Sequence, residues 1–196
     1  NGHKISIALE EMGLEYQVFP INILENDQFQ PDFLRISPNN KIPAIVDQDG
    51  PKGEAISVFE SGAILQYLGR KTGQFYPSDE QSRVEVEQWL MWQMGGFGPM
   101  LGQNHHFSKF APERIGYATE RYVNETKRLY GVLDKQLFGQ NYVAGEYSIA
   151  DMAIFPWILR YEWQQIDIND YPNVKAYMER IQARPAVQRA LALQVN

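Results

Sequence analysis

The chain has 196 residues, of which 44% are hydrophobic and 13% aromatic, so it can form one domain or two small ones with a proper core. Its formal net charge of -6 argues against a nucleic-acid-binding protein, which usually has a basic face. The sequence contains no cysteine, which excludes disulfide frameworks, cysteine metal sites and a protein thiol nucleophile. No apolar run reaches the length of a membrane span. We therefore expect a cytoplasmic protein that binds neither nucleic acid nor membrane.

The first part of the chain alternates short helical and extended segments, which predicts a small α/β domain. An apolar stripe at helical spacing predicts a first helix that stops at Gly13. Residues 15–23 alternate roughly between polar and apolar side chains, which predicts a strand. The remaining predicted elements, in chain order, are a short helix from Pro31, a strand from Ala44, a strand over 55–59, and a helix over 61–72 that Gly73 closes.

The second part of the chain has helical periodicity throughout, which predicts an all-helical domain. Residues 148–151 (SIAD) have the spacing of a capping box, in which the serine caps a helix and the acidic side chain bonds back to the cap. Residues 95–99 (GGFGP) predict a bend in the first of these helices. The predicted helices cover residues 79–105, 112–138, 148–164, 171–184 and 186–193.

A proline stands at the entrance of the strand that begins at Ala44, within the segment ISPNNKIPAIV at 36–46. Proline cannot donate a hydrogen bond to a ladder, so it belongs at the first residue of a strand, at an edge or at a bulge. One interpretation is a trans Pro43 that simply starts the strand. The other is a cis Ile42–Pro43 bond, because X–Pro is the only common cis peptide and a native one marks a turn that the structure needs.

Glu60 and Ser61 stand at the start of the helix predicted over 61–72. Serine is a preferred N-cap, and the free N–H groups and partial positive charge of a helix N-terminus favour an anion. Taken alone, the pair is also explained by Ser61 as a plain cap and Glu60 as a solvated charge.

Together, these motifs resemble those of the glutathione transferases, and the similarity covers essentially the whole chain. The segments NGHK at 1–4, DQFQP at 27–31, SPNNKIP at 37–43 and GPMLGQNHH at 98–106 are similar to the Nu class, whose bacterial members are disulfide-bond oxidoreductases. The resemblance implies an α/β domain followed by an all-α domain. The first is a thioredoxin-like, glutathione-binding domain over 1–77, and the second is a helical domain over 78–196.

The thioredoxin-like fold has a first strand before its first helix, whereas this sequence begins at the helix. Because neighbouring strands are about 4.8 Å apart, loss of that central strand would leave two strands roughly 10 Å apart, so we expect about ten residues to precede Asn1. The resemblance places a threonine that helps to activate the thiol among them.

The resemblance implies three contacts to glutathione in the first domain. A cis Pro43 turns the backbone N–H and C=O of Ile42 towards the cysteinyl backbone of glutathione, as if a short strand were added to the sheet. Ser61 and its N–H hold the γ-glutamyl carboxylate, while Glu60 takes the α-amino group.

Four further residues match positions that act on glutathione in the family. Asn1 opens the first helix, where its amide and the neighbouring N–H groups can stabilise a thiolate; the simpler interpretation is an ordinary N-cap. Gln28 and Lys41 match contacts to the glutathione chain and its glycyl end. Arg121 matches an arginine that reaches the ligand from the helical domain, and arginine suits a carboxylate. A solvated surface charge is the alternative for Lys41 and Arg121.

The resemblance implies a homodimer that uses glutathione as co-substrate to reduce small disulfides, with oxidised glutathione as the product. Peroxides are an alternative substrate class. Two alternatives stay open: a conjugating glutathione transferase, and a non-catalytic module that binds glutathione for regulation. A metal is not expected, because adjacent His105 and His106 point about 100° apart on a helix.

Overall fold

The structure is a computed structural model that describes residues 1–193. The chain forms two compact units, one made of Asn1–Gln74 together with the chain from Pro185 onward, and the other of Phe75–Arg184. The helices, in chain order, are α1 (Gly2–Glu11), α2 (Pro31–Ile36), α3 (Ser61–Thr72), α4 (Glu80–Trp92), α5 (Gly98–His105), α6 (Gly116–Gln136), α7 (Ile149–Ile158), α8 (Pro172–Gln182) and α9 (Pro185–Ala192).

The first unit contains a two-stranded antiparallel sheet of β1 (Ala44–Asp47) and β2 (Ile56–Phe59). Both strands and the helices of this unit occur where the sequence pattern predicts them. Helix α3 ends at Gly73, which has φ 67° as the helix C-terminal residue. Glycine adopts this left-handed conformation without a steric penalty, which confirms the predicted stop.

The strand predicted over residues 15–23 is wrong, because the structure has no strand there. Pro20 interrupts the segment and has no N–H to donate to a strand ladder. Within residues 1–193 the only sheet consists of β1 and β2, which pair with each other. Several apolar side chains of the segment are consequently exposed, with Phe19 72% accessible and Val18 43%. The alternating pattern therefore did not correspond to a paired strand.

The second unit consists of helices α4 to α8. The long helix predicted over 79–105 is two helices, α4 and α5, joined by a π-helical turn at Gln93–Phe97, where the sequence predicts a bend. The helix predicted from residue 112 begins later, at Gly116, and the one predicted to residue 164 ends earlier, at Ile158. No helix within residues 1–193 is both long and apolar enough to cross a membrane.

The capping box predicted at residues 148–151 is confirmed. The Ser148 hydroxyl accepts a hydrogen bond from the N–H of Ala150 at 3.3 Å, and the Asp151 carboxylate accepts one from the N–H of Ser148 at 2.8 Å. Asp151 is fully buried and also accepts hydrogen bonds from the Tyr177 hydroxyl and the N–H of Val143, both at 3.0 Å. The box therefore joins the start of α7 to α8 and to the preceding loop.

The last described helix, α9, packs against α1 within the first unit. Its buried face contains Ala186, Val187 and Ala190. Arg189 donates to Glu10 at 2.7 Å, and this contact is the main cause that lowers the pKa of the Glu10 carboxyl. The sequence pattern groups this helix with the second half of the chain, whereas in the structure it supports the helix that begins at Asn1.

Candidate functional site

The sheet brings three of the predicted site residues together. Ala44, the first residue of β1, pairs with Phe59, the last residue of β2. Ile42 and Pro43 directly precede Ala44, and Glu60 and Ser61 directly follow Phe59, so all four flank the same end of the sheet. The Ile42–Pro43 peptide bond is cis, which confirms the prediction. The segment before β1 and the start of α3 therefore form one local site.

The backbone of Ile42 is available to a ligand at this end of the sheet. Ile42 is 39% exposed and precedes the first residue of β1. Within residues 1–193, its N–H and C=O form no backbone hydrogen bond to a turn, loop or cap. An extended peptide can pair with such free backbone groups in the manner of an added strand.

Glu60, rather than Ser61, is the N-cap of α3, which corrects the sequence-based assignment. The Glu60 carbonyl accepts the first helical hydrogen bond, from the N–H of Ile64 at 2.9 Å, and Ser61 is the first helical residue. Glu60 has φ 70° and ψ 113°, a conformation that non-glycine residues rarely adopt, and its side chain is exposed. Ser61 is 7% exposed. Such backbone outliers are concentrated at ligand sites in proteins.

Asn1 occupies the N-cap position of α1, and its side chain forms no capping hydrogen bond. Its carbonyl accepts a hydrogen bond from the N–H of Lys4 at 3.1 Å, which is the first bond of the helix. The exposed amide of Asn1 therefore lies at the N-terminal end of α1, where the helical N–H groups carry partial positive charge.

Gln28 and Lys41 lie on two other segments of the first unit. Gln28 belongs to a 3-10 turn, Asp27–Phe29, where its amide donates to the carbonyl of Ile23 at 3.3 Å. Its side-chain oxygen is buried and has no hydrogen-bond partner within residues 1–193. Lys41 is exposed, and its carbonyl is fixed by the buried Ser37 hydroxyl at 2.7 Å.

Arg121 is the predicted site residue that belongs to the second unit. It is exposed on α6 and lines an open pocket of about 660 Å³. The nearby Glu125 accepts two hydrogen bonds from Arg128, at 2.8 and 2.7 Å, and this contact, with a smaller effect of Arg121, lowers the pKa of the Glu125 carboxyl. The pocket wall therefore carries two arginines, Arg121 and Arg128, and two glutamates, Glu120 and Glu125.

Lys4 is a candidate functional residue that the sequence analysis did not single out. It is 2% exposed, and burial lowers the pKa of its ammonium to about 7, while the charge of Glu60 raises it. A signal was present in the sequence, because Lys4 stands four residues before Ala8 and eight before Met12, on the buried face of α1.

Taken together, the first unit presents backbone groups for a peptide, a carboxylate at Glu60, and helix N-termini at Asn1 and Ser61. This set can bind a small peptide that carries both an amino group and a carboxylate. Within the described part of the chain no group of three His, Asp or Glu side chains is placed to hold a metal ion.

The family models agree with this geometry. The N-terminal domain model of glutathione S-transferase matches residues 1–70, and its C-terminal domain model matches residues 99–185. The disulfide-bond oxidoreductase YfcG of Escherichia coli (strain K12) is 54% identical over 195 residues, covering 97% of this chain and 90% of that protein. YghU, also named a disulfide-bond oxidoreductase in the same organism, is 43% identical over 204 residues, covering 96% and 70%.

Solved structures give the same result. A glutathione transferase family member from Pseudomonas fluorescens Pf-5, with two glutathione bound, has a TM-score of 0.94 and 48% identity, covering 98% of this chain and 88% of that one. A glutathione transferase from Pseudomonas putida, with one glutathione disulfide bound per subunit, has a TM-score of 0.94 and 45% identity, covering 98% and 87%. The chain has a thioredoxin-like N-terminal domain and a helical C-terminal domain, and it belongs to the glutathione S-transferase family.

Proposed function

We propose that this protein is a glutathione-dependent disulfide-bond oxidoreductase in which the thiolate of bound glutathione is the nucleophile. The observation that carries the proposal is the convergence of Ile42, Glu60 and Ser61 at one end of the sheet, in a chain without cysteine. Because the protein has no thiol of its own, the sulfur for thiol–disulfide exchange must come from the ligand.

In the proposed complex, glutathione binds along the end of the sheet. Ile42 pairs with its cysteinyl backbone, the carboxylate of Glu60 takes the α-amino group, and Ser61 with the first N–H groups of α3 takes the γ-glutamyl carboxylate. Gln28 and Lys41 contact the glutathione chain and its glycyl end, and Arg121 contributes a contact from the helical domain.

We propose that the boundary between the thioredoxin-like domain and the helical domain lies between residues 77 and 78.

We assign the activation of the sulfur to Asn1. Its amide and the N–H groups at the start of α1 are donors that stabilise a thiolate and therefore lower the pKa of the glutathione thiol. An amide is a milder activator than a positive charge. This suits disulfide exchange, because the best attacking thiol has a pKa near the ambient pH.

Reduction then takes two exchange steps. The glutathione thiolate attacks one sulfur of the substrate disulfide, forming a mixed disulfide and releasing the first substrate thiolate, which takes a proton from water. A second glutathione thiolate attacks the glutathione sulfur of the mixed disulfide, releasing the second substrate thiolate and oxidised glutathione. Two relatives are named for this activity, and a structural relative holds glutathione disulfide, the product of these steps.

We further propose a homodimer in the cytoplasm. The exposed apolar side chains of the first unit, among them Phe19 at 72% and Leu24 at 87%, are available for burial against a second copy. A cytoplasmic location fits the reaction, because the glutathione pool of the cytosol is reducing.

The test is the reduction of hydroxyethyl disulfide by glutathione, comparing the wild type with Asn1→Ala. We expect wild-type turnover, and a rate at neutral pH that falls about threefold in Asn1→Ala for each unit by which the pKa of the bound thiol rises, because the thiolate fraction falls about tenfold while the thiolate becomes about threefold more reactive. Glutathione affinity should be retained. The control is Asn141→Ala, at an exposed position in the second unit, which should behave as the wild type.

Two results would count against the proposal. Full activity in Asn1→Ala would remove Asn1 from its assigned role. An absence of wild-type turnover, together with tight glutathione binding, would identify a binding module rather than an enzyme.

A further inference from the structure

The hydroxyl of Ser37 is buried in the loop that leads to the candidate site, although the proposed reaction assigns it no role. Ser37 directly follows α2 and is 1% exposed. Its N–H donates to the carbonyl of Phe33 at 2.8 Å, which ties the residue to the end of that helix. Buried hydroxyls are normally hydrogen-bonded, so the partner of this hydroxyl shows which group it holds in place.

Ser37 closes the loop up to residue 41 with two hydrogen bonds. Its carbonyl accepts a hydrogen bond from the N–H of Asn40 at 2.9 Å, and its hydroxyl donates to the carbonyl of Lys41 at 2.7 Å. Asn40 has φ 51°, a left-handed conformation in which asparagine is more common than most residues. The turn at Asn40 therefore brings the Lys41 carbonyl back to a buried donor at the end of α2.

The carbonyl of Lys41 and the N–H of Ile42 belong to the same peptide group. A peptide group is planar, and in the trans form its C=O and N–H point in opposite directions. The Lys41–Ile42 bond is trans, because within residues 1–193 the only cis bond is the next one along the chain. The N–H of Ile42 therefore points away from the buried hydroxyl, at a residue that is itself 39% exposed.

We propose that Ser37 is a positioning residue for glutathione: by fixing the Lys41 carbonyl, its hydroxyl directs the N–H of Ile42 towards the ligand. The inference rests on the proposed function, in which Ile42 pairs with the cysteinyl backbone of glutathione. Ser37 itself does not touch the ligand in this arrangement. It sets the orientation of a donor before the ligand binds, which lowers the cost of ordering the site on binding.

Loss of the hydroxyl should allow this peptide group to rotate. In Ser37→Ala the Lys41 carbonyl has no buried donor, and a carbonyl without a partner is stabilised when it turns towards water. Because the peptide group is rigid, the N–H of Ile42 then turns away from the ligand. The ligand either loses this donor or must restore its orientation on binding, and both effects weaken the affinity.

The experiment is calorimetric titration of the whole protein with S-methylglutathione. This ligand keeps the peptide backbone, the amino group and both carboxylates of glutathione, but it has no thiol, so ionisation or oxidation of the sulfur cannot contribute. We expect Ser37→Ala to raise the dissociation constant about fivefold, which is the scale of one hydrogen bond.

The amide proton of Ile42 reports the orientation of the donor directly. In nuclear magnetic resonance spectra of the wild type, saturation with S-methylglutathione should move this resonance downfield, because the N–H enters a hydrogen bond. In Ser37→Ala saturated with the same ligand, the downfield shift should be clearly smaller. A residue that only stabilises the loop would not change this response.

The matched control is Thr72→Ala, at the end of α3 that is far from Ser61. The Thr72 hydroxyl donates to the carbonyl of Leu68 at 2.9 Å, so this variant also removes a hydrogen bond from a side chain to the backbone of the first unit. Both variants should be less stable than the wild type in urea denaturation. Only Ser37→Ala should lose affinity and the Ile42 response.

The outcomes separate this inference from the proposed function. An affinity of Ser37→Ala within about twofold of the wild type, an unchanged Ile42 response in that variant, or an equal loss of affinity in Thr72→Ala would overturn the inference. Ser37 would then only support the loop. Binding to the wild type without any response of the Ile42 amide would remove Ile42 from the proposed complex and the inference with it. If S-methylglutathione does not bind the wild type at any concentration, the proposed function itself fails.

Discussion

The backbone of Glu60 is the clearest link between conformation and chemistry at the scale of one residue. A non-glycine residue at φ 70° and ψ 113° stores on the order of 1–3 kcal/mol of strain. In return, the exposed carboxylate lies at the start of α3, next to the first N–H groups of that helix. We interpret the strain as the cost of presenting a carboxylate and an anion site side by side.

A pair of substitutions separates the strain from the carboxylate. Glu60→Ala keeps the strained backbone and removes the charge, whereas Glu60→Gly removes both. We expect both variants to lose at least about tenfold in glutathione affinity, because a charged hydrogen-bond partner is lost. In urea denaturation Glu60→Gly should be more stable than Glu60→Ala by about 1 kcal/mol. Equal stability would show that the backbone is unstrained, and retained affinity would show that the carboxylate does not bind the ligand.

The sequence singled out the residues from which the candidate site is built, apart from Lys4, but not how they are arranged. The position of Pro43 left a cis and a trans bond open, and the resemblance to the glutathione transferases predicted the cis bond that the structure has. The N-cap assignment of Ser61 was wrong, because serine is the commoner cap and only the backbone shows that the carbonyl of Glu60 accepts the first helical bond. Lys4 was missed because a lysine is normally exposed, and its burial depends on packing against α3 and α9, which are distant in the sequence.

At the scale of elements, the difference between α7 and the segment 15–23 shows which patterns are informative. The capping box of α7 is complete within four residues, so its local sequence was sufficient to predict it. A strand requires a neighbouring strand, and an alternating pattern in 15–23 carries no information about that neighbour. The same reasoning explains why β1 and β2 were predicted well, since a short loop joins them and they pair with each other.

The capping box of α7 provides a test of stability at this scale. Asp151→Ala leaves the buried donors of Val143 and Tyr177 without a partner, so it should lower the free energy of unfolding by about 3 kcal/mol or more. Ser148→Ala should lower it by about 1 kcal/mol, the usual value of a cap. Because the two side chains contact each other, the double variant should lose less than the sum.

The matched control is Asp79→Ala, which removes the cap of α4. Asp79 accepts a hydrogen bond from the N–H of Ser82 at 2.9 Å, at an exposed site. Asp79→Ala should therefore lower the free energy of unfolding by about 1 kcal/mol. If urea denaturation gives Asp79→Ala and Asp151→Ala the same loss, burial does not determine the contribution of Asp151.

At the scale of the whole molecule, the return of the chain in α9 adds a second support to α1. Arg189 bonds to Glu10 near the end of α1, while Asn1 and Lys4 lie at its start. The first unit is therefore built from both ends of the chain. Helical periodicity predicted α9, but it could not assign the helix to this unit, because that depends on its contact with residues about 180 positions earlier.

The activity of the molecule as a whole follows from its dependence on the ligand for sulfur. In the proposed mechanism the chain supplies no cysteine and activates the bound thiol through the amide of Asn1, and such mild activation would favour exchange with a disulfide over attack on an electrophile. The central claim is thus a preference between two reactions of the same bound glutathione.

The most direct measurement is the ratio of two rates of the wild-type protein with glutathione, each corrected for the uncatalysed reaction. One is the reduction of hydroxyethyl disulfide, and the other is the conjugation of chlorodinitrobenzene. The account predicts disulfide reduction well above conjugation, with oxidised glutathione as the product. Fast conjugation without any disulfide reduction would contradict it.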